Sequence, residues 1–403
     1  MSASDVLKLM KDKEIEYVDL RFTDPRGKLQ HLTMDSTVVD EGMLNDGVFF
    51  DGSSIAGWKA INESDMILKP DLSRKVVDPF TSHNTLVLFC DILDAIKKDP
   101  YERDPRSIAK KAEAYLKTSG IGDKAYFGPE PEFFVFDDVR IKNDMNETGF
   151  VIDSTEGPYN SGKKYENGNM GHRPGIKGGY FPVPPVDSAQ DMRGEFLKGL
   201  RDVGITVEKH HHEVAPSQHE LGMLFGTLVN QADNVQLYKY VVQMVAHSFG
   251  KTATFMPKPV KGDNGSGMHI HQSVWKGNTP LFSGDKYSGL SEIALQSPDL
   301  SKFRETFDYV SSFLLKRCKR ISPEHLRFLE NKIKDFEADW LERKPKHYFR
   351  NIKNQGKSLL IDAEIVASST KNFEEATCIS NVRNVEAEAY IREVGNQRMR
   401  RRG

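Results

Sequence analysis

The stretch Phe127-Gly128-Pro129-Glu130-Pro131-Glu132-Phe133-Phe134 leaves its backbone little choice. Pro129 and Pro131 fix φ and remove amide donors on both sides of Glu130, which excludes a helix interior and leaves an extended run. In an extended chain residues i and i+2 share a face, so Glu130 and Glu132 lie side by side ahead of an apolar strand. Two carboxylates that close repel unless one takes a proton or a cation stands between them. From this stretch alone two readings stay open: a solvated pair on an edge strand, and a divalent-metal site.

The rest of the chain has to decide between them. Its 403 residues give room for two or three domains. A net charge of -2 offers no general attraction to nucleic acid or membrane. Cys90, Cys318 and Cys378 are widely spaced and odd in number, which suits a reducing compartment and provides neither a zinc motif nor a disulfide framework. Met1 to Asp5 shows no basic or apolar leader, and no run approaches the roughly 18 apolar residues of a membrane span. The expectation is a cytoplasmic protein with no membrane or nucleic-acid partner, its Arg398 to Arg402 end being a solvated tail.

Taken in order, residues 4–13 read as a helix capped by Ser4. Tyr17 to Thr23 and Lys28 to Thr33 read as a hairpin turned by Asp24-Pro25-Arg26-Gly27. Asn84 to Ile92 is a further strand, so residues 1–105 form a small sheet-rich domain. Within it Asp51-Gly52-Ser53-Ser54 is either a plain turn or a loop presenting Asp51 to a neighbouring site. Pro105 to Leu116 is a helix closed by Gly120. Residues 141–185 show no periodicity and read as a covering loop. Ser188 and Asp191 approximate a capping box for a helix stopping at Gly204, and residues 229–253 are a long helix.

Two more stretches carry chemistry. Glu208 to Glu220 contains His210-His211-His212, with Pro216 between Glu213 and Glu220, and reads as strand, turn, strand. Such a hairpin brings its carboxylates together, while the histidines alternate faces and favour hydrogen bonding over ligation. Gly262 to Ser273 is a glycine-rich loop leading into a strand on which His269, His271 and Ser273 share a face. Glu130, Glu132, Glu213, Glu220 and His269 then supply mostly oxygen with one imidazole, a set suited to Mg²⁺ or Mn²⁺ rather than zinc. Paired divalent ions are typical of phosphoryl transfer. There is no Walker loop. A glycosidase carboxylate pair would explain neither the histidines nor the glycines.

Asp51-Gly-Ser-Ser, Phe127-Gly-Pro-Glu-Pro-Glu-Phe-Phe, His211-His-Glu-Val-Ala-Pro-Ser-Gln-His-Glu220, Lys251-Thr-Ala-Thr-Phe-Met-Pro-Lys-Pro and Asn264-Gly-Ser-Gly-Met-His-Ile-His271 together resemble glutamine synthetase of the bacterial type, from the N-terminus to about Leu295. The resemblance implies an α+β fold. A β-grasp domain spans 1–105, and a catalytic domain with a curved antiparallel sheet spans 106–295, in subunits that form rings with shared active sites. It implies that Glu132, Glu213 and Glu220 hold one ion, and that Glu130 and His269 hold a second against the ATP phosphates. Glu208, His271 and Ser273 would contact ATP, and Asn264 and Gly265 would bind glutamate. Asp51 would reach a neighbouring site and take a proton from ammonium. The implied reaction is ATP-dependent amidation of glutamate by ammonia through a γ-glutamyl phosphate.

From Gln296 onward the pattern is not that of the family, so the catalytic domain reads as incomplete. Residues 296–403 read as a mainly helical, unrelated tail, with helices around 300–320 and 323–342 and an apolar run from Ser358 to Val366. The family's phosphate-clamping arginine segment is missing, as is the strand that brings a further carboxylate to the second ion. Leu224 replaces a basic residue. Three explanations of these departures stay open: a frameshift or gene fusion at the 295/296 seam that leaves a broken enzyme, a catalytically impaired assembly or regulatory subunit in mixed rings with a full-length enzyme, and a tail whose Arg317, Arg320 or Arg383 stands in for the missing arginines. A ligase joining another amine to glutamate is a further alternative. Asp51 favours ammonia.

Overall fold

The computed structural model describes residues 2–157, 171–285, 290–295 and 359–362. The first helix, α1 (Ala3–Asp12), is capped by Ser2 rather than Ser4: the Ser2 hydroxyl accepts from the Asp5 amide while the Asp5 carboxylate accepts from the Ser2 amide. Strands β1 (Tyr17–Thr23) and β2 (Leu29–Asp35) form the expected hairpin. Gly27 takes φ +76° in its turn, and the Asp24 carboxylate accepts from the amides of Arg26 and Lys28. After α2 (Glu41–Asp46) come β3 (Val48–Asp51), β4 (Asp65–Val77) and β5 (Thr85–Asp94). The five strands run in the order β2-β1-β5-β4-β3, with β1 and β5 parallel at the centre. Val18, Leu20, Met66, Leu68, Leu86 and Leu88 are buried here with Val6 and Met10 of α1. This is the expected β-grasp arrangement. Asp51 ends β3 on its exposed margin. A Cβ on the next residue, Gly52, would lie 2.2 Å from the Met66 sulfur, so the turn needs a glycine.

Helix α3 (Pro105–Thr118) is capped by the Asp104 carboxylate and followed by Gly120 at φ +72°. Strand β6 (Lys124–Phe136) carries the proline-flanked carboxylates, extended as the sequence requires. Around it stand β9 (Val207–His212), β10 (Gln218–Met223), β11 (Thr252–Thr254), β12 (Met268–Lys276) and β13 (Thr279–Pro280), paired antiparallel. Helices α4 (Gln190–Asp202) and α5 (Leu228–Ser248) cover one face, burying Phe133, Phe196, Leu200, Leu221, Leu237, Tyr238, Val241 and Val242. Short helix α6 (Glu292–Leu295) follows the sheet.

The two units are joined by a buried charge cluster. The Arg106 guanidinium reaches Asp91 on β5 at 2.5 Å, Asp71 on β4 at 2.7 Å and Asp233 on α5 at 3.1 Å.

Several expectations are corrected. Residues 141–185 are not aperiodic throughout. Strands β7 (Asp138–Asn143) and β8 (Thr148–Asp153) form a hairpin in which Val139 opposes Ile152 and Ile141 opposes Phe150. Its exposed residues mix apolar Ile141, Phe150 and Val151 with charged ones, so no clean alternation of polar and apolar faces results. Ser188 does not cap α4; its hydroxyl donates to Glu156 at 2.5 Å, and Ala189 takes the cap position without a side-chain bond. Helix α5 stops at Ser248, because Gly250 takes φ +67° and the chain turns into β11. The tail helices expected at 300–320 and 323–342 lie outside the described residues. Part of the apolar run from Ser358 is strand β14 (Leu359–Asp362), paired antiparallel with β12, so this part of the tail joins the sheet.

Candidate metal centre

Strand β6 organises the site through its two ladders. Against β12, Glu130 is opposite His269 and Gly128 is opposite His271. Against β10, Glu132 is opposite Glu220. Residues directly opposite on antiparallel strands are neighbours on one face, so pairing alone brings together carboxylates from distant parts of the sequence. The β9–β10 hairpin adds His211 opposite Glu220 and places Glu213 just beyond β9.

One ladder position needs a substitute. The β6–β10 pairing ends at Glu132/Glu220 because the preceding β6 residue, Pro131, has no amide hydrogen. The buried Tyr238 hydroxyl fills the gap, accepting from the Leu221 amide at 3.1 Å and donating to the Pro131 carbonyl at 3.0 Å.

Potential ligand atoms of His211, Glu213 and Glu220 all lie within 4.8 Å of one another. The imidazole Nε2 of His211 is 3.4 Å from Glu220 Oε1, and its Nδ1 is 3.8 Å from Glu213 Oε1. Burial alone would lower the His211 pKa, but the facing Glu220 and Glu213 carboxylates outweigh it and raise it. The three consecutive histidines do alternate. His210 faces away, where Arg193 donates to it at 3.2 Å, and His212 bonds the Glu213 carbonyl and Glu156. Only His211 joins the carboxylates, so the member of this triplet placed at the centre is one for which the sequence favoured hydrogen bonding.

Glu132 is buried at 2% exposure, and its Oε2 accepts from Gln218 Nε2 at 2.7 Å and the Gly267 amide at 3.3 Å. Its Oε1 is 3.7 Å from His269 Nε2. Glu130 is partly open, 3.3 Å from His271 Nε2 and 3.9 Å from Lys209 Nζ. Burial works against its charge, but the His271 contact prevails and holds its carboxyl below the usual range. His269 thus stands opposite Glu130 in register while its Nε2 approaches Glu132. On the far edge of β12, β14 brings Asp362 to the register position opposite His269.

The other candidates are spread around this centre. Ser273 is buried and accepts from Trp275 Nε1 at 3.0 Å. Glu208 is exposed on β9. Asn264 is half-buried, and the Gly265 carbonyl accepts from Gln218 at 2.8 Å. A Cβ at Gly265 would lie 2.2 Å from the Pro257 carbonyl, which explains the glycine. Asp51 is exposed on the β-grasp sheet, its carboxyl held low by hydrogen bonds from Ser53 and Ser54.

Gln218, Tyr238, Arg193 and Glu156 support the centre and were not read from the sequence; Gln218 lies inside a motif that was, but its neighbours' charges drew the attention. A cluster of buried carboxylates with imidazole at its margin fits a hard divalent cation, whose charge offsets their repulsion.

The glutamine synthetase catalytic-domain model matches residues 102–297, and the glutamine synthetase beta-Grasp domain model matches residues 14–95. Glutamine synthetase from Rhizobium meliloti (strain 1021) is 63% identical over 294 residues, covering 73% of this chain and 63% of the relative. That of Azospirillum brasilense is 61% identical, covering 72% of this chain and 62% of the relative. The chain thus spans about 63% of the length of the curated relatives it matches. Among solved structures, Plasmodium falciparum glutamine synthetase superposes with a TM-score of 0.67 at 30% identity, over 73% of this chain and 58% of that one.

Proposed function

Since this chain belongs to the glutamine synthetase family, we propose that its centre holds two divalent cations, Mg²⁺ or Mn²⁺, and supports ATP-dependent amidation of glutamate by ammonia. The observation that carries this reading is the pairing of β6, which sets Glu132 opposite Glu220 and Glu130 opposite His269 in one sheet. Glu132, Glu213 and Glu220, with His211 beside them, form the buried set for the first cation; Glu130 and His269 serve the second. Bound cations would neutralise charge on the transferring phosphoryl group.

The chain's own side chains divide the remaining work. His271, Ser273 and Glu208 line the ATP side. Asn264 and Gly265 hold glutamate so that its γ-carboxylate is aligned with the γ-phosphorus, an in-line attack that yields ADP and a γ-glutamyl phosphate. Asp51, on an exposed turn, takes a proton from ammonium in a neighbouring subunit's site. The freed ammonia attacks the acyl carbon and expels phosphate. An acyl phosphate must be kept from water, which suits a site completed by a neighbour in a homo-oligomeric ring. We place the domain divisions at about residues 105 and 295, and the protein in the cytoplasm.

The test is phosphate release from ATP by the purified chain that requires both glutamate and ammonia and is lost in Glu132→Ala. Release equal to the Glu132→Ala control would refute catalysis by this chain. A second reading, an assembly or regulatory subunit, is favoured by the family match ending at residue 297 of 403. It predicts mixed rings with a full-length enzyme, and a chain that never co-purifies with one would contradict it. Release with methylamine exceeding that with ammonia would instead indicate another γ-glutamyl-amine ligase.

A further inference from the structure

Glu156 lies just past β8, outside the hairpin that carries the first cation's ligands, yet it touches both arms of that hairpin. It is 6% exposed. Its Oε2 is 2.9 Å from His212 Nε2 and accepts from the Ser217 amide at 2.7 Å; its Oε1 accepts from the Ser188 hydroxyl at 2.5 Å. His212 Nδ1 in turn donates to the Glu213 carbonyl at 2.7 Å. The Glu213 carboxylate is itself held by the next amide, Val214, at 2.9 Å, so its position follows the backbone that His212 fixes. On the other arm, Ser217 adopts φ +65°, a left-handed conformation uncommon for serine. The Glu156 carboxylate holds that residue's amide, and Ser217 directly precedes Gln218, which orients Glu132, and the strand bearing Glu220.

We propose that Glu156 and His212 form a buried strut that positions Glu213, Glu220 and the Gln218–Glu132 pair around the first cation, an inference that rests on the cation reading above. A carbonyl and a carboxylate can only accept, so the two contacts of His212 call for donation from both ring nitrogens. Neither residue is a ligand in this account. They act through the groups they hold, as outer partners of metal ligands do.

The experiment is Mn²⁺ binding to the full chain, followed by electron paramagnetic resonance, for wild type, Glu220→Gln, Glu156→Gln, His212→Gln and the Glu156→Gln/His212→Gln double variant, each with a near-ultraviolet circular dichroism spectrum. Glu156→Gln is expected to weaken the tight step about 10-fold or more, the usual scale for a lost outer partner, to alter the zero-field splitting of the tightly bound ion, and to leave the weaker step in place. The double variant is expected to be no worse than the poorer single one, because both remove the same strut. Tight binding lost in Glu220→Gln but kept within about twofold in Glu156→Gln, well short of the loss usual for an outer partner, would overturn the strut and leave the cation reading standing. No tight Mn²⁺ step in wild type would overturn the cation reading itself. Should Glu156→Gln fail to fold, Ser188→Ala removes only the Oε1 contact; a severalfold weaker tight step supports the strut, and an unchanged one refutes it.

Discussion

Tyr238→Phe removes one oxygen from the centre of the catalytic sheet and nothing else. The ring stays packed against Phe133 and Phe255, each with its centroid 6.1 Å away. What disappears is the bridge between the Leu221 amide and the Pro131 carbonyl. Each buried polar group left without a partner costs about 1–3 kcal/mol. Because the two orphaned groups face each other across the vacated position, partial rescue places the expected loss at roughly 2–4 kcal/mol. Urea unfolding of wild type and variant side by side measures it, with the slope unchanged if only the native state is affected. Pro131 lies between Glu130 and Glu132, and Leu221 follows Glu220, so the tight Mn²⁺ step is expected to weaken as well. A stability loss below about 0.5 kcal/mol, the range of a neutral surface change, would refute the bridging role.

Other consequences follow from the same geometry. Arg106→Met removes the cation that Asp71, Asp91 and the buried Asp233 share, while Lys110 stays on Asp71 and Asp91 and Arg74 stays 3.7 Å from Asp233. The expected cost in urea unfolding is about 1.5–3 kcal/mol, the scale of lost hydrogen bonds between charged groups, and a loss under about 0.5 kcal/mol would mean the cluster does not join the two units. Glu156 has a folded pKa of about 2 against an ordinary 4.5. Its contribution is therefore complete above pH 4.5 and is lost as pH falls toward 2, on the order of 3 kcal/mol. Unfolding free energies measured across that interval should fall less steeply in Glu156→Gln, and parallel curves would contradict the assignment. A Cβ at Gly179 would lie 2.7 Å from the Glu213 carbonyl and 2.8 Å from His212 Cε1. Gly179→Ala should accordingly displace the backbone around Gly179 or the His212–Glu213 pair it abuts and weaken tight Mn²⁺ binding in calorimetric titration; wild-type affinity would show that this contact yields freely.

What could be read from the sequence was local. Proline on both sides of Glu130 dictated an extended β6, Pro216 separated β9 from β10, and alternation placed His269 and His271 on one face of β12. Each of these signals lies within a few residues of the feature it specifies. Partnership across the chain was not legible: nothing near Glu132 announces Glu220 as its ladder neighbour, or Tyr238 as the donor to Pro131. Glu156 sits in a polar, glycine-rich segment, and its burial against His212 comes only from tertiary packing. The β7–β8 hairpin was overlooked because most of its side chains face solvent, which leaves little apolar contrast to read. His211 was judged by the ordinary behaviour of strand histidines, and only the pairing of β9 with β10 brings it to the carboxylates.

Titration of the metal-free chain with Mn²⁺, counting bound ions per chain, tests the central claim most directly. Two unequal steps are expected: a tight one that disappears in Glu220→Gln, from the buried Glu132, Glu213 and Glu220 set, and a weaker one that alone responds to Glu130→Gln. Two steps of equal affinity, or a tight step that survives Glu220→Gln, would contradict it.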